Sequence, residues 1–241
     1  MLAKKPTPLI ILKISGESLR NSHHCFDSQP LRVVAEQIRI LAEDGLGCLV
    51  VVGGGNVFRG PRDASEYGLN EDEADLNGMT ATGMNANNLR GACRKQGLET
   101  VIVGRGPCAA FGPDLSTSQL RHELQLGRVC IIAGGSGKQG VSTDVPAVQL
   151  AAELDAQKLI MSKHGVDGIY TSDPNINPSA TFLPSVTATE ALDAGLRVMD
   201  AQALELSRQT GVEIHVVAAA SPSGLIDAAY GDRIGSVIIP T

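Results

Sequence analysis

Apolar positions fall in short dense runs separated by stretches with helical spacing. Leu9-Ile10-Ile11-Leu12-Lys13-Ile14 is almost wholly apolar and stops at Ser15-Gly16. A run that short, without polar alternation, predicts a strand buried on both faces of a parallel sheet. Residues 30–44 carry Leu31, Val34, Ile38 and Leu41 at helical intervals and stop at Gly45. Cys48 to Val52 predicts the next strand, which opens into Gly53-Gly54-Gly55. A helix over roughly 74–95 places Met79, Met84, Leu89 and Cys93 on one broad face, closed by Gly97. Strands at 100–103 and 129–133 flank a short helix at 120–126, and the second ends in Gly134-Gly135-Ser136-Gly137.

From Asp144 a helix is expected to about Leu154, followed by a strand at 158–161. Residues 166–174 read as a hairpin-like piece turning at Asp167-Gly168, and 175–185, with Pro178 and Pro184, as a loop. Helices at 187–194, 200–210 and 222–230 and strands at 213–218 and 235–239 complete the pattern. Strands alternating with helices, without repeat or linker, predict an α/β fold: a three-layer αβα sandwich around a mainly parallel sheet. The expectation is one domain over 1–241, with approximate lobes at 1–155 and 156–241.

Composition narrows the function classes. A net charge of −6 argues against a general nucleic-acid binder, and 3% aromatic residues without Trp disfavour base-stacking platforms. Five widely spaced cysteines, with no Cys-x-x-Cys, exclude a zinc ribbon or thioredoxin motif and fit reduced thiols in the cytoplasm. Leu9 to Leu12 is too short for a secretory signal, and no apolar stretch approaches the ~18 residues of a membrane span. Adjacent His23 and His24 read as a polar loop rather than a metal pair.

The glycines direct attention to one end of the sheet. In such folds ligands sit beyond the carboxyl ends of the strands, where Ser15-Gly16, Gly53 to Gly55 and Gly134 to Gly137 all fall. Side-chain-free segments let backbone N–H groups approach phosphate closely, and Arg59 adds a planar cation. Three such strand ends predict a crevice for several phosphates. Neither a P-loop sequence nor a Gly-x-Gly-x-x-Gly fingerprint is present. Lys13 inside an apolar strand either reaches into a polar cleft or snorkels from a sheet edge.

Lys-Ile-Ser-Gly-Glu at 13–17, Gly-Gly-Gly-Asn-Val-Phe-Arg-Gly at 53–60, Ser-Thr-Asp at 142–144, Val-Asp-Gly-Ile-Tyr-Thr-Ser-Asp-Pro at 166–174 and Arg-Val-Met-Asp at 197–200 resemble bacterial uridylate kinases of the amino-acid kinase superfamily, in family order. The resemblance implies transfer of a phosphoryl group from ATP to UMP, with Mg²⁺ carried on ATP and no dedicated metal cluster. It implies a homohexamer, with neither nucleic acid nor membrane as partner. By the same resemblance Lys13 meets the transferring phosphoryl group, Ser15 and Gly16 lie at the donor phosphates, and Gly54, Gly55 and Arg59 lie between donor and acceptor. Asp75 matches a ribose-binding aspartate, although a carboxylate near a helix N-terminus also has a purely structural use. Ser136, Gly137, Lys138, Ser142 and Thr143 fall in the acceptor-binding segment, and His164, Tyr170 and Asp173 on ATP-side positions. Asp144 matches an aspartate at the transfer point, with a plain helix N-cap as its other reading.

The chain departs from the family in the same places. Asp-His-Met-Gly becomes Asp75-Leu76-Asn77-Gly78, and Thr-Gly-Asn-Pro-Phe-Phe-Thr-Thr-Asp becomes the segment Ser136 to Asp144, which lacks both aromatic rings and gains Lys138. Lys-Ala-Thr-Lys becomes Ser162-Lys163-His164-Gly165, which displaces the lysine by one. A one-residue step reverses the facing in a strand, so Lys163 is not expected to substitute. These changes leave open a kinase of another small phosphorylated acceptor, or a nucleotide-binding or storage protein on the same fold.

Overall fold

The computed structural model describes residues 8–196 and 198–241. The elements run in the order β1 (Leu9–Ile14), α1 (Ser28–Glu43), β2 (Gly47–Val52), α2 (Gly60–Tyr67), α3 (Glu71–Lys95), β3 (Thr100–Gly104), α4 (Thr117–Gln125), β4 (Val129–Ala133), α5 (Asp144–Glu153) and β5 (Lys158–Lys163). Then come β6 (Ile169–Tyr170), β7 (Phe182–Leu183), β8 (Ser185–Thr187), α6 (Ala188–Asp193), α7 (Ala201–Thr210), β9 (Ile214–Ala218), α8 (Gly224–Tyr230) and β10 (Ser236–Ile239). One-turn 3-10 segments follow β1 at Gly16–Leu19 and β3 at Gly106–Ala110.

Eight strands form one sheet in the order β3-β4-β2-β1-β5-β9-β10-β8, and β6 pairs with β7 apart from it. Among the described residues only the β9–β10 pairing of the large sheet is antiparallel. Strands β1 and β2 carry a single polar side chain, Lys13, because both faces are covered. Leu9 and Ile11 of β1, with Leu49 and Val51 of β2, pack on α4, α5 and α7. Ile10, Leu12 and Ile14, with Cys48, Val50 and Val52, pack on α1, α3 and α8. The alternation sends odd-numbered residues of β1 to the α5 side. Lys13 is the odd residue at the carboxyl end of that face.

Three expectations need correction. Residues 60–67 form α2, with Pro61 at its start and Gly68 as a left-handed cap (φ 66°); their few apolar positions gave no helical signal. The hairpin does not turn at Asp167-Gly168. Ile169 and Tyr170 pair instead with Leu183 and Phe182, so the turn is the long stretch 171–181. Residues 175–185 accordingly hold β7 and the start of β8 as well as a loop. Among the described residues no helix is long and apolar enough to cross a membrane.

Candidate active site

β4, β2, β1 and β5 are neighbours, so the segments leaving their carboxyl ends meet. Gly16 and the glycine triplet pack backbone to backbone: a Cβ on Gly16 would stand 2.6 Å from the Gly53 oxygen and 2.7 Å from the Gly55 nitrogen. A Cβ on Gly54 would stand 2.7 Å from the Gly78 oxygen of α3. Only glycine allows both approaches. They leave a cavity of about 370 Å³ lined by Gly54, Gly55, Arg59, Asp75, Lys138 and Thr143, among others. A second cavity of about 520 Å³ lies beside β5 and the β6–β7 hairpin, bounded by Lys163, His164, Tyr170, Asp173, Ile176 and Leu196.

Lys13 projects from β1 onto the first residue of α5, with Nζ 2.6 Å from Asp144 Oδ1. Both side chains are nearly buried, 13% and 11% exposed, which rules out a snorkelling lysine. The N-cap of α5 is Thr143, so Asp144 is not a simple cap either. Its Oδ2 accepts from the Asp200 N–H at 3.2 Å, and among the described residues Lys13 is the one partner of Oδ1. Burial pushes the Asp144 carboxyl up, but the Lys13 ammonium, the Asp200 N–H and the Lys163 charge together hold it below the ordinary carboxylate range.

Lys163 belongs to this cluster, contrary to the facing argument. Lys13 is paired in register with Met161, and Lys163 lies two residues on, so it shares the face of Lys13. Its ammonium donates to the Val198 carbonyl. Burial lowers its pKa, the Asp144 carboxylate opposes that shift, and the Lys13 charge adds to it. The stretch after α6 thus braces the cluster twice, through the Val198 carbonyl and the Asp200 N–H. Arg197 of the same stretch lies outside the described residues.

Arg59 stands at the rim. Both ends of its guanidinium meet the Glu17 carboxylate, with Nε 2.8 Å from Oε2, and Arg20 approaches the same carboxylate at 3.1 Å. The Glu17 side chain lies next to Gly55, so the rim cation is held directly over the glycine turn. Sequence reasoning gave Glu17 no role; the arginine three residues after it was the available signal.

The acceptor-segment residues fall together. The Asp75 carboxylate accepts from the Gly140 N–H and so joins α3 to this segment. Ser136 Oγ accepts from the Lys138 N–H at 3.1 Å, and Ser142 Oγ accepts from the Asp144 N–H at 3.2 Å. Gly137 sits at φ 79°. Beyond Asp75 the crevice continues onto a shelf of Leu76, Met79 and Pro107, edged by Lys138 and Gln139. This shelf supplies apolar surface where the aromatic pair is missing.

On the donor side, His164 is exposed and lines the cavity. Tyr170 packs edge-to-face on Phe182 (5.4 Å, 74°) and donates its hydroxyl to Asp167, which raises its pKa. Asp173 accepts from the Asn175 N–H at 2.9 Å and so shapes the 173–177 turn at the cavity edge. Ser15 contributes backbone: its carbonyl accepts from Ser18 Oγ at 2.6 Å. Among the described residues no group of three or more His, Cys, Asp or Glu is placed to hold a metal ion.

Residues 8–218 match the profile of the Amino acid kinase family. A protein named uridylate kinase from Azorhizobium caulinodans is 37% identical over 98% of this chain and 98% of its own length. One from Frankia casuarinae is 35% identical over 95% of this chain and 89% of its own. The crystal structure of UMP kinase from Bacillus anthracis superposes with a TM-score of 0.90 at 31% identity, covering 98% of this chain and 97% of that one. The UMP kinase of Ureaplasma parvum gives 0.88 at 30% identity, over 97% and 99% of the two chains. With a nearly buried lysine–aspartate pair whose neighbours Thr143 and Lys163 line the two cavities, and with this likeness over nearly its whole length, the chain belongs to the amino acid kinase family and, within it, to the uridylate kinases.

Proposed function

We propose that this protein transfers the γ-phosphoryl group of ATP to UMP, yielding ADP and UDP. The observation that carries the reading is the nearly buried Lys13–Asp144 pair, set next to Thr143 of the one cavity and beside Lys163 of the other. The bond from the γ-phosphorus to the ADP oxygen breaks and one to an oxygen of the UMP phosphate forms. That oxygen is already anionic near neutral pH, so no general base is required. Catalysis then consists of alignment and of neutralising charge on the transferring group.

In this reading Lys13 meets the transferring oxygens, and Asp144 fixes its position from the start of α5. Lys163 is a second cation available to the donor phosphates. The amides of Gly54 and Gly55 and the Arg59 guanidinium receive phosphate from the rim, while Ser15 and Gly16 border the donor side. Asp75 takes the ribose hydroxyls, Ser136 to Thr143 enclose the acceptor, and the base lies on the Leu76–Met79–Pro107 shelf. His164, Tyr170 and Asp173 border ATP. Mg²⁺ is proposed to arrive on the ATP phosphates, whose oxygens suit it. Asp144 is already balanced by Lys13, and we assign it no metal. From the family resemblance we also infer a homohexamer in the cytoplasm.

Retention of the Lys13–Asp144 pair and the names of the relatives favour this reading over another acceptor or a storage protein. A coupled ADP-release assay with UMP, CMP and dTMP tests it. Turnover with UMP well above that with the other two is expected. Tight ATP binding without turnover of any acceptor would overturn it.

A further inference from the structure

The long helix α3 changes character along its length. From Ala86 onward it packs Ala86, Leu89 and Cys93 into the apolar layer on one face of the sheet. In the turn before Ala86 it buries two polar side chains that this packing does not need. Thr82 is 3% exposed and Asn85 is 0% exposed.

Both are fully engaged, and their partners are the glycine turns. The Asn85 amide donates to the Gly53 carbonyl at 2.7 Å and to Asn56 Oδ1 at 2.6 Å, and Asn56 Nδ2 returns a bond at 2.9 Å. Thr82 Oγ1 accepts from the Gly134 N–H at 2.7 Å and passes its own proton to the Met79 carbonyl at 2.6 Å. Asp75, on the same helix, meets the β4–α5 loop a second time, at Gly140. At ~100° per residue these three side chains lie within roughly 80° of one another around the axis. One rigid element therefore sets the places of two loops that line the crevice, holding the second at two points.

We propose that Thr82 and Asn85 are positioning residues for phosphoryl transfer, fixing the separation of the Gly53–Asn56 turn from the Gly134–Ser136 turn. The proposal rests on the kinase reading above. Neither side chain need touch the transferring group. Each holds a backbone segment whose remaining amides face the phosphates, and a misplacement of about 1 Å in such a site is worth on the order of 10²-fold in rate.

The test compares Thr82→Val, which keeps the shape but removes the hydroxyl, with Thr82→Ser, which keeps the hydroxyl. Single-turnover rates at saturating ATP and UMP are measured together with KM, Tm and amide hydrogen exchange in the ligand-free protein. Thr82→Val is expected to lose at least ~10-fold in rate, with KM within about threefold, and Thr82→Ser to recover most of it. Exchange should accelerate locally at residues 134–137 in the valine variant. Equal losses in the two variants, a wild-type rate in Thr82→Val, or faster exchange spread over the whole chain would overturn the proposal. If the unaltered protein fails to turn over UMP, the kinase reading fails by itself, and the exchange comparison still decides whether Thr82 holds the turn.

Discussion

The floor and the rim of the crevice use the same chemistry in different surroundings. On the floor, Lys13 and Asp144 form an ion pair with both side chains nearly buried, and Lys163 stands close enough to feel both charges. At the rim, Arg59 and Arg20 share the Glu17 carboxylate, and the Arg59 side chain is 41% exposed. Water screens the rim, where an ion pair contributes about 0–1 kcal/mol. It screens the floor poorly, so each charge there depends on its partners. The floor has two lysines and one aspartate, leaving a cationic excess suited to a transferring phosphoryl group. The rim can release Arg59 to an arriving phosphate at little expense to the fold. Under the proposed reaction, this difference would give the chemistry to the floor and capture to the rim.

The largest stability effect should follow from breaking the floor. Asp144→Asn leaves Lys13 and Lys163 without a counter-charge and is expected to lower stability by about 3–5 kcal/mol in urea denaturation at neutral pH. An unchanged midpoint would mean that the pair is not buried in solution. Gly54→Ala comes next, because the added Cβ would stand 2.7 Å from a backbone oxygen of α3. A loss of about 1–3 kcal/mol is expected, with a loss of turnover; wild-type kinetics would show that the turn does not press on the helix.

A pH series sharpens the contrast. The folded-state pKa of Asp144 lies below the unfolded value of about 3.9. Its contribution to stability is therefore present above that value and is lost as pH falls through the lowered one. Tm measured down the acid range should fall more steeply for the wild type than for Asp144→Asn, and parallel curves would contradict the shift. The smallest effect belongs to the rim: Glu17→Gln should change stability by under about 1 kcal/mol, and a loss of several would show that Glu17 is part of the floor's network.

The sheet was legible in the sequence because its central strands are dense apolar runs, broken only near their ends by residues such as Lys13 and Lys163. That pattern arises only where both faces are covered, as β1 and β2 are. The glycine turns were legible for a related reason, since three backbone segments meeting at strand ends exclude side chains. What escaped was set by tertiary contact. Pro61 and Gly68 mark the ends of α2, but the short stretch between them has too few apolar residues to show a helical face. Lys163 was discounted by counting from a family motif, whereas its facing is fixed by register against β1. Glu17, Thr82 and Asn85 carry no periodic signal, because their value lies in what each one reaches across the crevice: the Arg59 guanidinium, the Gly134 N–H and the Gly53 carbonyl.

The division between floor and rim is tested most directly by one comparison of single-turnover UDP formation, Lys13→Ala against Arg59→Ala, at saturating ATP and UMP. The account predicts a loss of at least about two orders of magnitude for Lys13→Ala, whose ammonium meets charge as it develops. It predicts that Arg59→Ala, once saturated, stays within about tenfold of the wild type, its defect appearing in KM as lost binding. Equal losses in the two variants, or a wild-type rate for Lys13→Ala, would contradict it.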